Sequence, residues 1–302
     1  CIISVIQNAL AVGVGSVVNV PAPYALLCGA ISMIGGHGAA GAYGGTFETM
    51  GYSAGTTVGA AAATFGLISG VLLGGPLARH LIEKNGLKPE EDTTSYDDVQ
   101  SINAGHGEKL TGLDVIKNVA AIIICMALGT MVAGWVGKLI KMVFPTYVGA
   151  MFIAVILRNL NDKFNLYKFS FPLVDGIGDV MLNLYLSLAL MTLKLWELTG
   201  LLGGLLVILA VQVVVMALYA YFVVFRVLGK NYDAAVMCSG LCGHGLGATP
   251  TAIVNMTAVC ERYGMSRRAF MVVPIVGAFL VDIIYQPQTI AFIKFFVPNF
   301  TG

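Results

Sequence analysis

The chain has 302 residues, of which 57% are hydrophobic and 11% charged, with a net charge of +1 and a mean hydropathy of +0.84. So little charge excludes an ordinary soluble domain, and the even balance, with no basic face interleaved with aromatics, excludes a nucleic-acid partner. What is left is an all-α integral membrane protein surrounded by lipid.

Four nearly uncharged windows, Ala54–Leu77, Val119–Gly137, Leu201–Phe225 and Ala269–Ile293, meet the length a helix needs to cross roughly 30 Å of hydrocarbon. They are too long and too many to be cleaved signals. In chain order the pattern predicts a helix over 2–20, a re-entrant hairpin over 23–50, a helix over 54–82 and a cytoplasmic linker over 83–112. Helices follow over 113–142 and 145–160, then an amphipathic piece near 163–173. Helices over 177–197 and 200–228, a second hairpin over 232–262 and a last helix over 267–296 complete the chain. The stretch Glu83–Thr111 holds seven of the sixteen acidic residues and includes His106, which reads as loop. Lys194 and Glu197, three positions apart, read as a helix-end pair. The six cysteines lie mostly in apolar segments without C-x-x-C spacing and read as small apolar fillers.

The two hairpins interrupt apolar sequence with "ISMIGGHGAAGAYGG" (31–45) and "SGLCGHGLGATPTAIVNM" (239–256). Each is preceded by a glutamine in an apolar run, Gln7 and Gln212, and followed by Glu-x-x-Gly-x-Ser, at Glu48–Ser53 and Glu261–Ser266. Gln to His spans 30 positions in one half and 32 in the other, while His to Glu spans 11 and 17. The halves therefore read as repeats, the first over 1–82 and the second over 113–302, with scaffold helices in 113–160 and core elements in 177–302. Because about 100 residues precede Gln212 in the second half and six precede Gln7, more chain is expected ahead of Cys1. Residues 1–78 contain no Lys or Arg, whereas Arg226, Lys230, Arg262, Arg267 and Arg268 flank the second hairpin. By the positive-inside rule the halves enter from opposite sides, which is the pattern of an inverted-repeat transporter.

Glycine-rich backbone at membrane depth survives only where protein or water covers it, so both breaks are candidate sites. Thr249 followed by Pro250 predicts a helix start with a hydroxyl cap, whose amino end suits an anionic carboxylate. Gly245, Gly247, Ala248, Thr249, Thr251 and Asn255 are the candidates there, with Gly36, His37 and Gly38 in the first hairpin. The last carbonyls of the other half-helices, at Gly35 and Gly243, are candidates for Na+. Asp282 in mid-helix is a further cation candidate, since a carboxylate there costs about 2.5 to 3.5 kcal/mol on insertion scales. Packing alternatives stay open: close helix contact for the glycines, hydrogen-bonded structure for His37 and His244, a neighbouring helix for Asn255, and polar glue for Gln7 and Asn8.

With "GGHG" at 35–38, "LKLWEL" at 193–198, "GKNYDAAV" at 229–236, "GLGATPTAI" at 245–253, "NM" at 255–256 and "ERYG" at 261–264, the sequence resembles the bacterial sodium/glutamate symporter family from about residue 6 to the end. It departs where the resemblance implies an aromatic and His244 stands. The resemblance implies Na+-coupled glutamate symport by a homodimer in the bacterial inner membrane, with an elevator-like core sliding against a scaffold. A symporter of another small carboxylate, or a channel, is the alternative. No catalytic constellation such as H-E-x-x-H is present, so the reading is not that of an enzyme.

Overall fold

The chain is described by a computed structural model over residues 2–89, 111–140, 146–164, 167, 169–192, 199–277 and 281–297. Every element among the described residues is helical. The first half contains α1 (Ile2–Val17), α2 (Ala22–Leu26) running into a π-helical turn (Leu27–Ile31), α3 (Gly36–Thr49) and α4 (Gly55–Asn85). Then come α5 (Gly112–Ile140), α6 (Thr146–Phe164) and α7 (Phe171–Thr192). The last part holds α8 (Leu202–Leu218), continued by a π-helical turn (Tyr219–Val224) into α9 (Phe225–Val227), then α10 (Tyr232–Leu246), α11 (Thr249–Tyr263), α12 (Arg267–Ile275) and α13 (Val281–Phe296). Among the described residues three segments are long and apolar enough to cross a membrane: Gly55–Asn85, Gly112–Leu139 and Leu202–Val227. Most of the expected linker with His106, the Lys194–Glu197 pair and the side chain of Asp282 lie outside the described residues.

The elements divide into two compact units, one holding α1–α4 and α8–α13, the other α5–α7. In the smaller unit α5 and α6 touch backbone to backbone, because Gly129 lies against Ala150 and Gly149 lies against the Gly129 carbonyl. A cavity of about 440 Å³ beside them is lined by Asn118, Cys125, Tyr147, Arg158 and Phe171, among others.

In the larger unit α4 inverts the pattern of a soluble helix. Gly59, Ala63, Gly66, Gly70 and Gly74 are buried, while Ile68 and Leu72 are 53% and 69% exposed. Lipid is as apolar as leucine, so a large side chain gains little by turning inward, whereas small ones let two backbones approach. Gly59 faces the Ala40 carbonyl of α3, and Gly66 and Gly70 face the Leu246 and Cys242 carbonyls of α10. Gly74 meets Asn255 of α11 and the Ser239 carbonyl. One helix thus packs at backbone range against both broken helix pairs.

Those pairs, α2–α3 and α10–α11, are closed at their bases in parallel ways. The Tyr24 hydroxyl accepts from the Ala54 N–H at 3.3 Å, and the Tyr232 hydroxyl donates to the Gly264 carbonyl. The glycines of the two Glu-x-x-Gly-x-Ser segments share a left-handed backbone, φ +97° at Gly51 and +114° at Gly264, a conformation glycine adopts without steric cost. Each ends the second arm of its pair. The Glu48 carboxylate then accepts from the Thr56 N–H at 2.9 Å in the first turn of α4, and the Ser266 hydroxyl accepts from the Ala269 N–H of α12 at 3.3 Å.

The breaks themselves differ from expectation. Gly-His-Gly sits differently at the two breaks: Gly36–Gly38 opens α3 directly after its break, with the turn at Gly36, and Gly243–Gly245 lies in the last turn of α10, before its break. A helical glycine costs only about 1 kcal/mol relative to alanine, too little to end a helix. Pro250 ends α10 instead, because in a continuous helix its ring would collide with the Leu246 carbonyl four residues back. The first pair has no proline at its break and turns at Gly36, with φ +60°. Elsewhere, α6 runs to Phe164 and α7 starts at Phe171, with Pro172 in its first turn, so the described ends of the stretch 163–173 belong to these two helices, while residues 165, 166 and 168 lie outside the described residues. Over the span expected at 267–296 the described residues form α12, which contains Pro274, and α13, and residues 278–280 between them lie outside the described residues.

Gly74 and its neighbour Gly75 test this packing. A Cβ at Gly74 collides with Asn255 and the Ser239 carbonyl, while one at Gly75 has nothing within 4 Å. Gly74→Val is expected to destabilise the protein by about 3 kcal/mol or more, read as a lowered melting temperature in detergent. Gly75→Ala is expected to leave it unchanged or raise it slightly.

Candidate functional site

The two breaks meet. A Cβ on Gly36 would lie 3.4 Å from the Gly247 carbonyl, so the first residue of α3 touches the junction of α10 and α11. Around Gly247 the chain is tight: a Cβ there would come within 3.0 Å of the Gly243 carbonyl, 3.1 Å of the Thr251 hydroxyl and 3.4 Å of the Leu67 Cα of α4. Gly243 in turn lies against Thr251 and Ala252, which brings α10 and α11 to backbone contact just below the break. Two helix amino ends, of 14-residue α3 and 15-residue α11, therefore open beside one carboxyl end, that of α10. Amino ends carry free N–H groups and about half a positive charge, and carboxyl ends free carbonyls and about half a negative one.

Polar side chains from α1 fasten this arrangement. Gln7 donates from Nε2 to the Gly245 carbonyl at 2.7 Å, occupying one carbonyl of α10's last turn. Gln212 of α8 donates to the Gln7 backbone carbonyl at 2.8 Å. Asn8 accepts at Oδ1 from the Ala30 N–H at 3.0 Å, inside the π-helical turn where Gly29 leaves helical geometry at φ −91°, ψ −147°. The N–H freed by that kink is satisfied from α1. Ser32 donates to the Gly59 carbonyl at 3.2 Å, and Tyr285 of α13 donates to the Ile31 carbonyl at 3.3 Å.

The expected site residues separate into groups. Gly36, Gly247, Ala248 and Thr249 come together at the junction, and Gly38 is exposed beside it with open space around its Cα. Ala248, not Thr249, holds the cap position of α11; its backbone is extended and no side chain caps the helix. The Thr249 hydroxyl is instead 3.3 Å from Nδ1 of His244. His37 turns to α4, with Nε2 3.0 Å from the Thr64 hydroxyl. Asn255 uses its amide N–H donors on the Gly70 and Ser239 carbonyls, at 2.9 and 3.3 Å, which leaves Oδ1 for other use. Gly35 is wedged against Ala39 and the Tyr285 hydroxyl, and its carbonyl accepts from the Ala39 N–H at 3.3 Å. Sequence reasoning missed the contacts of Gln7, Tyr285 and the α4 glycines. For the last a signal exists, glycine at 66, 70 and 74, one helical turn apart.

A family model described as Sodium/glutamate symporter matches residues 1–265. The chain is 43% identical over 286 residues to the sodium/glutamate symporter of Escherichia coli (strain K12) and to that of Shigella flexneri, covering 93% of this chain and 70% of each relative. It is 39% identical over 283 residues to the sodium/glutamate symporter of Haemophilus influenzae, covering 92% and 69%. No solved structure matches the chain significantly.

The Gln7 amide is the main external tie on the α10 terminus. Gln7→Leu leaves the buried Gly245 carbonyl without that donor, and a loss of about 1–3 kcal/mol of stability is expected. Thermal unfolding in detergent reads it. Ser16→Ala, which removes an exposed bond to the Gly13 carbonyl, should change stability by less than about 0.5 kcal/mol.

Proposed function

Because the chain belongs to the sodium/glutamate symporter family and is a membrane protein that carries glutamate with Na+, we propose that glutamate binds where the two breaks meet. The observation that supports this is the contact of Gly36 with the Gly247 carbonyl, which sets two helix amino ends side by side. Glutamate carries two carboxylates, and each amino end suits one. In this reading the amides opening α3 at Gly36, His37 and Gly38 hold one carboxylate, and the start of α11, with Gly245, Gly247, Ala248, Thr249 and Thr251, holds the other. Asn255 contributes its Oδ1. Na+ takes carbonyl oxygens of the kind offered at Gly35 and Gly243, together with the Asp282 carboxylate.

The arms α3, α10 and α11 have 14 or 15 residues, about 21–23 Å of helix, short of a hydrocarbon core near 30 Å. That length supports re-entrant hairpins whose tips stop within the bilayer. The charge asymmetry between the halves supports opposite entry from the two sides of the bacterial inner membrane. Alternating access then needs the core around the breaks to move, in an elevator-like way, against a scaffold that includes α5 and α6. The homodimer and the moving core rest on the family resemblance.

Counterflow of labelled glutamate in proteoliposomes tests the reading. Uptake is expected to require Na+, Gly247→Leu to abolish it in a protein that still elutes as a single folded species, and Asp282→Asn to raise the Na+ concentration for half-maximal uptake several-fold. Unchanged glutamate affinity in Gly247→Leu would refute the site without touching the transport activity.

Topology is tested by labelling single cysteines in a background lacking the native ones. Ser266 is buried and bonded to Asp233 at 2.7 Å, so its exposed neighbour Arg267 is the better position. An impermeant thiol reagent is expected to reach Ser53→Cys only from outside and Arg267→Cys only from the cytoplasm. Labelling of both from one side would overturn the inverted arrangement.

A further inference from the structure

His244 occupies the last turn of α10, with Nδ1 3.3 Å from the Thr249 hydroxyl across the break. Its other ring nitrogen, Nε2, is buried and has no hydrogen-bond partner among the described residues. The ring borders a cavity of about 190 Å³ whose other walls are apolar, among them Ile3, Ile34, Val272, Val276 and Val281. Gly277 closes the opposite side of the pair: a Cβ there would stand 3.2 Å from the ring Cε1, from Nδ1 and from the Thr249 hydroxyl alike. The imidazole and the hydroxyl are therefore packed together beside a glycine at which any side chain would press on both.

A neutral imidazole has one donor nitrogen and one acceptor nitrogen. A buried N–H without an acceptor is rarer and costlier than an acceptor left bare. Since Nε2 has no partner, the proton belongs on Nδ1, where the Thr249 oxygen receives it. That bond uses a lone pair of the hydroxyl and leaves the Thr249 O–H free to donate elsewhere. The opposite tautomer would make Thr249 donate to the ring and turn only lone pairs toward the break, which repels a carboxylate and favours a cation.

We propose that His244 is a positioning residue that fixes the Thr249 hydroxyl as a hydrogen-bond donor toward a substrate carboxylate at the amino end of α11. This rests on the placement of glutamate at that helix start. The ring touches no substrate; it sets which way the hydroxyl points, and so makes the first turn of α11 select an anion.

The test measures glutamate affinity and maximal uptake in proteoliposomes for T249V, H244F, H244N and the double variant H244F/T249V. T249V and H244F are each expected to weaken glutamate binding roughly five- to tenfold, the worth of one such bond, read as a matching rise in the glutamate concentration for half-maximal uptake. H244N, whose amide can donate from near the position of Nδ1, is expected to restore affinity to within about twofold. The double variant is expected to bind no worse than T249V alone, because the two changes remove one interaction. If T249V leaves affinity unchanged, the carboxylate is not at Thr249, and both the site and the role of His244 fall. If T249V weakens binding while H244F does not, or their effects add, the role of His244 falls and the site stands. Where Phe is not accommodated, H244L makes the same comparison with a smaller apolar side chain.

Discussion

The contact on which the larger unit depends is that of a helix face without side chains against carbonyl oxygens of its neighbours. Gly59, Gly66, Gly70 and Gly74 of α4 lie against backbone of α3 and α10, and the two broken pairs are brought together across that single surface. Hydrophobic burial cannot organise helices in a solvent as apolar as their own side chains, so close approach and polar bonds take its place. The buried amide of Asn255, donating to the Gly70 carbonyl, is the same principle in its polar form.

Interrupting helices inside this packing creates backbone groups that lipid cannot satisfy. The structure answers each interruption from a neighbouring helix. Asn8 accepts from the Ala30 N–H beside the kink at Gly29, and Gln7 reaches the Gly245 carbonyl at the end of α10. Two adjacent side chains of α1 therefore serve both broken pairs, and Gln212 ties α8 to the same turn of α1. The junction at Gly36 and Gly247 is tied by these bonds from neighbouring helices, since its own glycines carry no side chains.

Much of this was legible in the chain. Composition sufficed for the class, and most described element boundaries fell within a few residues because apolar length and breaker residues report directly on helix ends; α7 is the exception, beginning at Phe171 where 177 was expected. Pro250 marked its break correctly, since its steric rule is local. Gly-His-Gly was half a guide: Gly36 carries the positive φ at the first break, whereas the copy at Gly243–Gly245 stays helical ahead of its break. The Glu-x-x-Gly-x-Ser segments were the sounder match, and their glycines share a left-handed backbone. The targets of Gln7 and Asn8 could not be read at all, because a side chain's partner 22 or 238 residues away is set by packing that no local pattern encodes.

The bare face of α4 also shapes how the gene can vary. Every single-base change that alters a glycine codon's meaning brings a larger side chain or a stop, and a larger side chain overlaps a carbonyl or amide group at Gly66 and Gly74 and crowds the Cys242 carbonyl at Gly70. The outward face, with Ile68 and Leu72, can exchange one apolar residue for another freely. A screen for inactive variants would then gather its hits along a stripe of α4 whose role is packing. Read as a map of the site it would point to the wrong residues, whereas read as a map of clearance it would trace the seam on which the two broken pairs are mounted.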